Sequence, residues 1–256
     1  LPDEQAFSIF VIYDFLRQID DAVDEGKKNN YNFLFSSWVK ASSKNEIMLN
    51  ENSNLADKVA FIFKTFEIDK LEMMQMFAGQ DSDLKNKVIN TYDDLIHYCY
   101  QVAGTVGCMI FPILSKNNNL SSIRNKVIDI GIAMQLTNIL RDIHEDAIRN
   151  RVFIPDQLLV LFKVNKEELK GRKTKRNLKK LIAFLSKKAL FFYESELEVI
   201  QTVDSFSAKF SLKLAIATYK KILEKIIDSD FEVLEGRIYV TNLEKAKILD
   251  NIILKL

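Results

Sequence analysis

Apolar residues recur at helical spacing along most of the chain. The clearest stripe lies in residues 206–234, where intervals of three and four join Leu212, Ile216, Tyr219, Leu223 and Ile226. The same periodicity predicts further helices over residues 3–26, 31–39, 55–67, 69–78, 81–114, 122–155 and 176–201. Clusters of Asn, Ser and Lys separate these segments and predict loops. The pattern therefore predicts an all-α protein.

Residues that favour helix ends set the predicted boundaries. Asp3 is a candidate N-cap, and Gly26 is a candidate stop for the first helix. Asp81 or Ser82 is predicted to open the helix that ends near residue 114. The helix that begins near residue 122 is predicted to end at Pro155, because proline cannot continue the backbone hydrogen-bond ladder.

Composition agrees with a helical bundle. The chain has 256 residues, of which 48% are hydrophobic, and only seven Gly and three Pro, too few for the many turns of an all-β protein. With no internal repeat or linker, residues 1–256 are predicted to form one domain with a sizeable core.

Charge and cysteine content narrow the classes of function. The 36 basic and 35 acidic residues give a formal net charge of +1, so no overall field favours nucleic acid. Cys99 and Cys108 indicate packed thiols and a reducing, cytoplasmic setting. No run of about 18 apolar residues predicts a membrane span. Because the chain starts with Leu and shows no signal peptide, we expect residues upstream of it.

Two rows of oxygen-bearing side chains are the strongest chemical signal. In the segment 133–155, Asn138, Asp142 and Asp146 follow one another at intervals of four on one predicted helix, with roughly 6 Å of rise between neighbours. Asp20 and Asp24 repeat that spacing in the first helix. Such acidic pairs alone are usually solvated helix faces, but two facing rows suit Mg²⁺ bound together with diphosphate.

Three motifs resemble one family. QLTNILRDIHEDAIRNRVFIP (135–155), YCYQVAGTVG (98–107) and RQIDDAVD (17–24) occur in the order seen in squalene and phytoene synthases, and are most similar to the bacterial dehydrosqualene synthase branch. The resemblance covers nearly the whole chain. It implies a single-domain helical bundle of the isoprenoid synthase (class I terpenoid synthase) type with a central cavity.

The resemblance also implies an activity. Members of the dehydrosqualene branch condense two farnesyl diphosphates head to head through a presqualene-type cyclopropyl diphosphate and release diphosphate. The implied cofactors are two or three Mg²⁺ ions, and no NADPH is expected. Phytoene synthase, with a C20 substrate, and NADPH-dependent squalene synthase stay open as alternatives. A terpene cyclase and a non-catalytic scaffold protein are further alternatives, but the intact aspartates disfavour a scaffold.

Site residues follow from matching the family motifs position by position. Asp21 is expected to point away from the row of Asp20 and Asp24, whereas Arg17 is expected on the Asp20 face. The implied metal ligands are Asp20, Asp24, Asn138, Asp142 and Asp146. The implied catalytic residues are Asp20, Asp24, Tyr98, Arg141, Asp142 and Asp146. The implied substrate-binding residues are Tyr13, Arg17, Gln135, Asn138, Arg141, Arg151, Tyr219 and Arg237.

Other features carry weaker expectations. Ala103, Gly104 and Gly107 are expected where a prenyl tail or a neighbouring helix comes close. The basic run over residues 163–188 is expected to be a solvated face, with peripheral adhesion to anionic lipid as the alternative. Relatives carry a His-Ser-x-Ser-Phe type segment just upstream of the position where this sequence starts. We expect that segment to help cover the substrate.

Overall fold

The computed structural model describes residues 1–115 and 120–254, and every regular element in that part of the chain is helical. The predicted all-α class is therefore confirmed. The helices are α1 (Asp3–Asp24), α2 (Lys28–Ser42), α3 (Leu55–Thr65), α4 (Lys70–Leu84), α5 (Tyr92–Cys99), α6 (Thr105–Leu114), α7 (Leu120–Arg141), α8 (Ile143–Ile148), α9 (Asp156–Phe162), α10 (Arg176–Tyr193), α11 (Glu196–Thr202), α12 (Phe206–Asp228) and α13 (Asn242–Ile253).

Two apolar cores meet at α6. The first core joins α1 to α4, where Phe77 meets the ring of Phe35 edge-on at 5.1 Å and Trp38 meets Phe63 at 4.8 Å. The second core surrounds α7, which packs against α6, α10 and α12. Helix α6 serves both, because Met109 and Ile113 belong to the first core while its other face joins the second.

A π-helical turn over Tyr100–Gly104 joins α5 to α6 without a break. Such turns insert an extra residue into a helix and often occur at functional sites. The turn packs against α7, where a Cβ added to Gly131 would lie 2.6 Å from the carbonyl oxygen of Ala103. Glycine at position 131 therefore permits this close approach of the two backbones.

A buried ion pair ties the π-helical turn to its neighbours. Glu72 of α4 is 2% exposed, and its Oε1 accepts hydrogen bonds from Nε and Nη2 of Arg124 at 3.1 and 2.6 Å. The same Arg124 Nη2 donates to the Tyr100 hydroxyl at 3.1 Å. This three-residue network links α4, the π-helical turn and α7.

Several predicted helix ends were wrong. Asp3 does not cap α1, because Pro2 occupies that position and Asp3 lies in the first turn, where its charge still suits the helix dipole. Neither Asp81 nor Ser82 opens a helix, since α4 continues through both to Leu84. The next helix begins after Thr91, whose hydroxyl forms a capping box with Asp94.

The long helix predicted over residues 122–155 is divided. It ends at Arg141 and resumes as α8 from Ile143 to Ile148, and Asn150, with φ of 58°, turns the chain away. Pro155 precedes α9 as its N-cap and ends no helix. The segment 176–201 is likewise two helices, broken at Glu194 and Ser195, and the helix predicted to reach residue 234 ends at Asp228.

Both cysteines are buried and unpaired, as predicted. Across residues 1–115 and 120–254, no helix is both long enough and apolar enough to cross a bilayer.

Candidate functional site

The first acidic row lies on α1 at the border of the first core. Ile12, Phe15 and Ile19 bury one face of this helix, which leaves Asp20 at the edge of that face, partly buried and hydrogen-bonded to the amide of Gln80. Burial, together with the charge of Asp24, raises the pKa of Asp20. Asp20 therefore lies where a bound cation would relieve an unfavourable charge.

The side chain of Arg17 does not lie on the Asp20 face, where it was predicted. Its Nε forms an exposed ion pair with Asp21 at 3.0 Å, so Arg17 turns toward Asp21 rather than along the face of Asp20. An i,i+4 pair is the favourable partner on a helix surface, which explains the difference. Asp21 is exposed and off the acidic row, as predicted, and Tyr13 lies exposed beside Arg17.

The second row survives the break between α7 and α8. The backbone N–H of Asp142 donates to the Asn138 carbonyl at 2.9 Å, and that of Asp146 donates to the Asp142 carbonyl at the same distance. The three side chains therefore keep the predicted spacing of one turn. Nδ2 of Asn138 contacts Oε1 of Gln135 at 3.4 Å, while Oδ1 of Asn138 is buried without a hydrogen-bond partner.

Two arginines hold Asp142. Arg141 donates from Nε to Oδ1 at 2.8 Å and from Nη2 to Oδ2 at 2.5 Å, and both side chains are less than one fifth exposed. Arg237, from the loop after α12, reaches Oδ1 with its Nε at 3.2 Å. Asp142 raises the pKa of Arg141, and Tyr219 of α12 lies close enough to add to that rise. Both arginines thus contact the second acidic row at Asp142.

Arg151 joins the two rows. Its Nη1 donates to Oδ1 of Asp24 at 2.5 Å, across a sequence separation of 127 residues. Burial raises the pKa values of Asp83 and Asp146, and the charge of Arg151 opposes part of that rise at both carboxyls, so the guanidinium lies near Asp24, Asp83 and Asp146. Arg151 therefore links Asp24 of the first row to the chain segment that follows Asp146, whereas the facing of the two rows stays a prediction.

Asp83 is a member of this site that the sequence analysis missed. Its Oδ2 accepts a hydrogen bond of 2.7 Å from the hydroxyl of Tyr98, and the Tyr98 ring stacks on Phe153 with centroids 5.2 Å apart. Burial raises the pKa of Asp83 to about 7. The sequence places Asp83 in the first turn of the helix predicted over residues 81–114, where no motif or acidic row marks it.

Asp146 is perturbed in the same way as Asp83. Burial, with the negative charge of Asp142, raises its pKa to about 7. Strongly shifted carboxyls clustered in a cleft are typical of functional sites.

The oxygen-rich rows fit magnesium bound together with a phosphate ligand. Within the described residues, no three His, Cys, Asp or Glu side chains converge as a complete metal-ligand set. Mg²⁺ commonly takes only one or two carboxylates and completes its shell with water and substrate phosphates. The unpartnered Oδ1 of Asn138, one turn before Asp142, is a ready neutral oxygen ligand.

Apolar side chains between the two cores could accommodate a hydrocarbon ligand. Ile9, Val102 and Ile110 pack against both cores and still remain partly exposed. Gly104 and Gly107 instead face α7, since an added Cβ would meet Ile128 at 3.2 Å and Val127 at 3.0 Å. The helix-packing alternative therefore applies to both glycines.

Comparison with known proteins decides the family. The family model described as squalene/phytoene synthase matches residues 1–244. The chain belongs to the squalene/phytoene synthase family. Its similarity to "Phytoene synthase, chloroplastic" of Daucus carota is 30% identity over 257 residues, covering 94% of this chain and 62% of that protein. The "15-cis-phytoene synthase" of Synechococcus elongatus is 28% identical, with 96% and 82% covered.

Solved structures support the same fold for this family member. A dehydrosqualene synthase bound to a ligand superposes with a TM-score of 0.89 at 26% identity, covering all of this chain and 88% of that one. The squalene synthase HpnC of Alicyclobacillus acidocaldarius gives a TM-score of 0.78 at 19% identity, covering 90% and 86%, which supports the fold alone. The chain spans 62% and 59% of the plant phytoene synthases of Daucus carota and Zea mays.

Proposed function

We propose that this protein condenses two prenyl diphosphates head to head through a cyclopropyl diphosphate and releases inorganic diphosphate. The observation that carries the proposal is the ion pair between Arg151 and Asp24, which links the first acidic row to the segment that directly follows the second row. Family membership supports the same reaction class, since relatives are named as phytoene and dehydrosqualene synthases.

Carboxylates from both rows fit Mg²⁺ in this proposal. Asp20 and Asp24 would bind Mg²⁺ from the first row, and Asn138, Asp142 and Asp146 would bind it from the second row. Bound there with the substrate diphosphate, Mg²⁺ would neutralise the charge of the leaving group.

The arginines supply direct contacts to the diphosphates. Arg141 and Arg237 each direct their planar guanidinium groups at the Asp142 side of the cleft, where they can bind phosphate oxygens bidentately. Arg151 adds a third cation between the rows. Substrate contacts of Tyr13, Arg17, Gln135 and Tyr219 are proposed on the family match alone.

Tyr98 is proposed to stabilise the allylic cation that forms when diphosphate leaves. Its ring is held against Phe153, and its hydroxyl is fixed by Asp83, so both the π-face and the oxygen have defined positions. The partly exposed apolar side chains between the two cores, Ile9, Val102 and Ile110, are proposed to contact the prenyl tails.

We propose farnesyl diphosphate as the substrate and dehydrosqualene as the product, formed without NADPH. The dehydrosqualene synthase structure, which covers the whole chain, favours this product. Geranylgeranyl diphosphate and phytoene form the second candidate, which the names of the sequence relatives favour. Adhesion of residues 163–188 to anionic lipid and a cytoplasmic location stay predictions.

The test is incubation with Mg²⁺ and farnesyl or geranylgeranyl diphosphate, with and without NADPH, followed by mass identification of the hydrocarbon. A C30 dehydrosqualene formed without reductant supports the proposal, and C40 phytoene supports the second candidate. Asp24→Asn should lose activity, whereas the matched control Asp21→Asn removes an exposed carboxylate of the same helix and should keep it. Absence of hydrocarbon from the wild type under every condition would refute the proposal.

A further inference from the structure

Tyr98 and Asp83 form a connected pair that leads from the acidic cleft toward solvent. Tyr98 is 8% exposed, and its hydroxyl donates to Oδ2 of Asp83 at 2.7 Å. Stacking on Phe153 fixes the ring, so the hydroxyl has little freedom to choose another partner. The direction of this hydrogen bond leaves the lone pairs of the Tyr98 oxygen free to accept a proton.

The inner end of the pair faces the proposed site. Phe153, on which the Tyr98 ring stacks, lines a small cavity together with Asp146 and Arg151, and Arg151 pairs with Asp24. Burial is the main cause of the raised pKa values of Tyr98 and Asp83. The charge of Asp146 adds to the first, and the charges of Asp20 and Asp24 add to the second. Both members of the pair are therefore within electrostatic reach of the two acidic rows.

The outer end opens on two small cavities. Asp83, Tyr98 and Phe153 line one together with the exposed side chains of Lys87 and His97. A second cavity begins at the same carboxyl and continues past Asn86, Asn150 and Lys166. Asp83 thus lies between the cleft and two polar openings, where water can take up a proton.

We propose that Tyr98 and Asp83 relay the proton released by the reaction out of the site. This inference rests on the proposed function, in which a carbocation ends by losing a proton. When an alkene forms, the C–H bond on the carbon adjacent to the cationic carbon breaks and its electron pair becomes the π bond. When the cyclopropane ring closes, the C–H bond on the carbon one position further away breaks and its electron pair forms the ring-closing C–C bond to the cationic carbon. The proton moves to the Tyr98 oxygen, the original hydroxyl proton moves to the Asp83 carboxylate, and Asp83 then releases it into the outer cavity.

The charge environment of Asp83 suits a relay that resets in each turnover. Burial, Asp20 and Asp24 oppose its ionised form, whereas the hydrogen bond from Tyr98 and the charge of Arg151 favour it. Burial raises the pKa of Asp83 to about 7, so the carboxyl exchanges protons with water near neutral pH.

The test compares Asp83→Asn, Asp83→Glu and the matched control Asp81→Asn. Asp81 lies two residues away on α4 and forms an ion pair with Lys85 at 2.6 Å, so its loss removes a carboxylate outside the proposed site. With Mg²⁺ and the substrate accepted by the wild type, we expect Asp83→Asn to lower kcat about 100-fold at unchanged KM. Asp83→Glu should restore part of the rate, and Asp81→Asn should match the wild type.

A pH profile separates the relay from a packing role. The wild-type rate should fall below about pH 7 as Asp83 takes up a proton, and Asp83→Asn should lose that acidic limb. Circular dichroism melting of each variant shows whether it is folded.

Several outcomes would overturn the relay. They are an Asp83→Asn rate within twofold of the wild type, a defect confined to KM, or an acidic limb that persists in the variant. A wild type that forms no hydrocarbon would overturn the proposed function and the relay together, which distinguishes that failure from a failure of Asp83 alone.

Discussion

Gly131→Ala tests how closely α7 must approach the π-helical turn that follows Tyr98. A Cβ at position 131 would lie 2.6 Å from the Ala103 carbonyl oxygen and 2.6 Å from the Gly104 Cα. Ordinary van der Waals contact needs about 3.5 Å. All three of the nearest atoms belong to backbone, so no side chain can turn aside, and the two elements must separate by about 1 Å.

The cost follows from this overlap. Overpacking a well-filled core costs about 1–3 kcal/mol. Because the clash here is against backbone atoms, we take the upper end of that range. Replacing glycine by alanine within a helix returns about 1 kcal/mol of helix propensity. The net loss is therefore about 2 kcal/mol, which corresponds to a Tm lower by about 4–8 °C for a chain of this size.

Circular dichroism at increasing temperature measures the effect. Gly236→Ala is the control, because a Cβ there meets no heavy atom within 4 Å and Gly236 does not need a positive φ. We expect the control to melt within about 1 °C of the wild type. A Gly131→Ala protein with unchanged or higher Tm would show that the two helical segments separate without cost, and would refute the reasoning.

Three further predictions concern charge. Arg151→Met leaves Asp24 without its cation, and we expect calorimetry with Mg²⁺ and inorganic diphosphate to show at least about tenfold weaker binding, whereas equal affinity would contradict this role. Glu72→Gln removes the carboxylate partner of Arg124, whose side chain is 39% exposed, and should lower the free energy of unfolding in urea by about 1–2 kcal/mol, a change absent if the network is dispensable. Because burial raises the pKa of Asp146 to about 7, the folded state keeps a proton that the unfolded chain releases near its ordinary pKa. The Tm of the metal-free protein should therefore fall as pH rises from about 4 to 7, and Asp146→Asn should flatten that fall, while an equally steep fall in the variant would count against it.

The helical class and both acidic rows were predictable because they depend on short-range spacing. Asp142 and Asp146 stay one turn apart even though the helix breaks between Arg141 and Ile143, since the i→i−4 hydrogen bonds continue across the break. Helix boundaries were harder to predict, because one residue type can occur both at the end and at the start of a helix. Pro155 suits the end of one helix and the start of the next, and only the turn at Asn150 decides between them.

The contacts between distant segments could not be predicted from spacing. Asp83 and Tyr98 meet because, after a loop of seven residues, the π-helical turn and α6 pack back against α4, a consequence of tertiary structure. The pairing of Arg17 with Asp21 shows a second limit. Asp20 and Asp21 both follow Arg17 by one helical turn, and the structure pairs Arg17 with the exposed Asp21. Family resemblance supplied Arg151 as a site residue, but its partner Asp24 emerged only from the fold.

The charges of the site explain why it should take up cations with its substrate. Two arginines neutralise Asp142 and one reaches Asp24, so the protein itself balances one carboxylate of each row. In the part of the chain that the structure describes, Asp20 and Asp146 form no such ion pair with an arginine, and burial raises the pKa of each. Keeping these two carboxyls ionised therefore costs free energy. A divalent cation beside either carboxylate would remove that cost, and a diphosphate would balance the added positive charge against the arginines. Cation and diphosphate should therefore bind cooperatively, and titration of each in the presence and absence of the other should show affinities that rise together by the same factor.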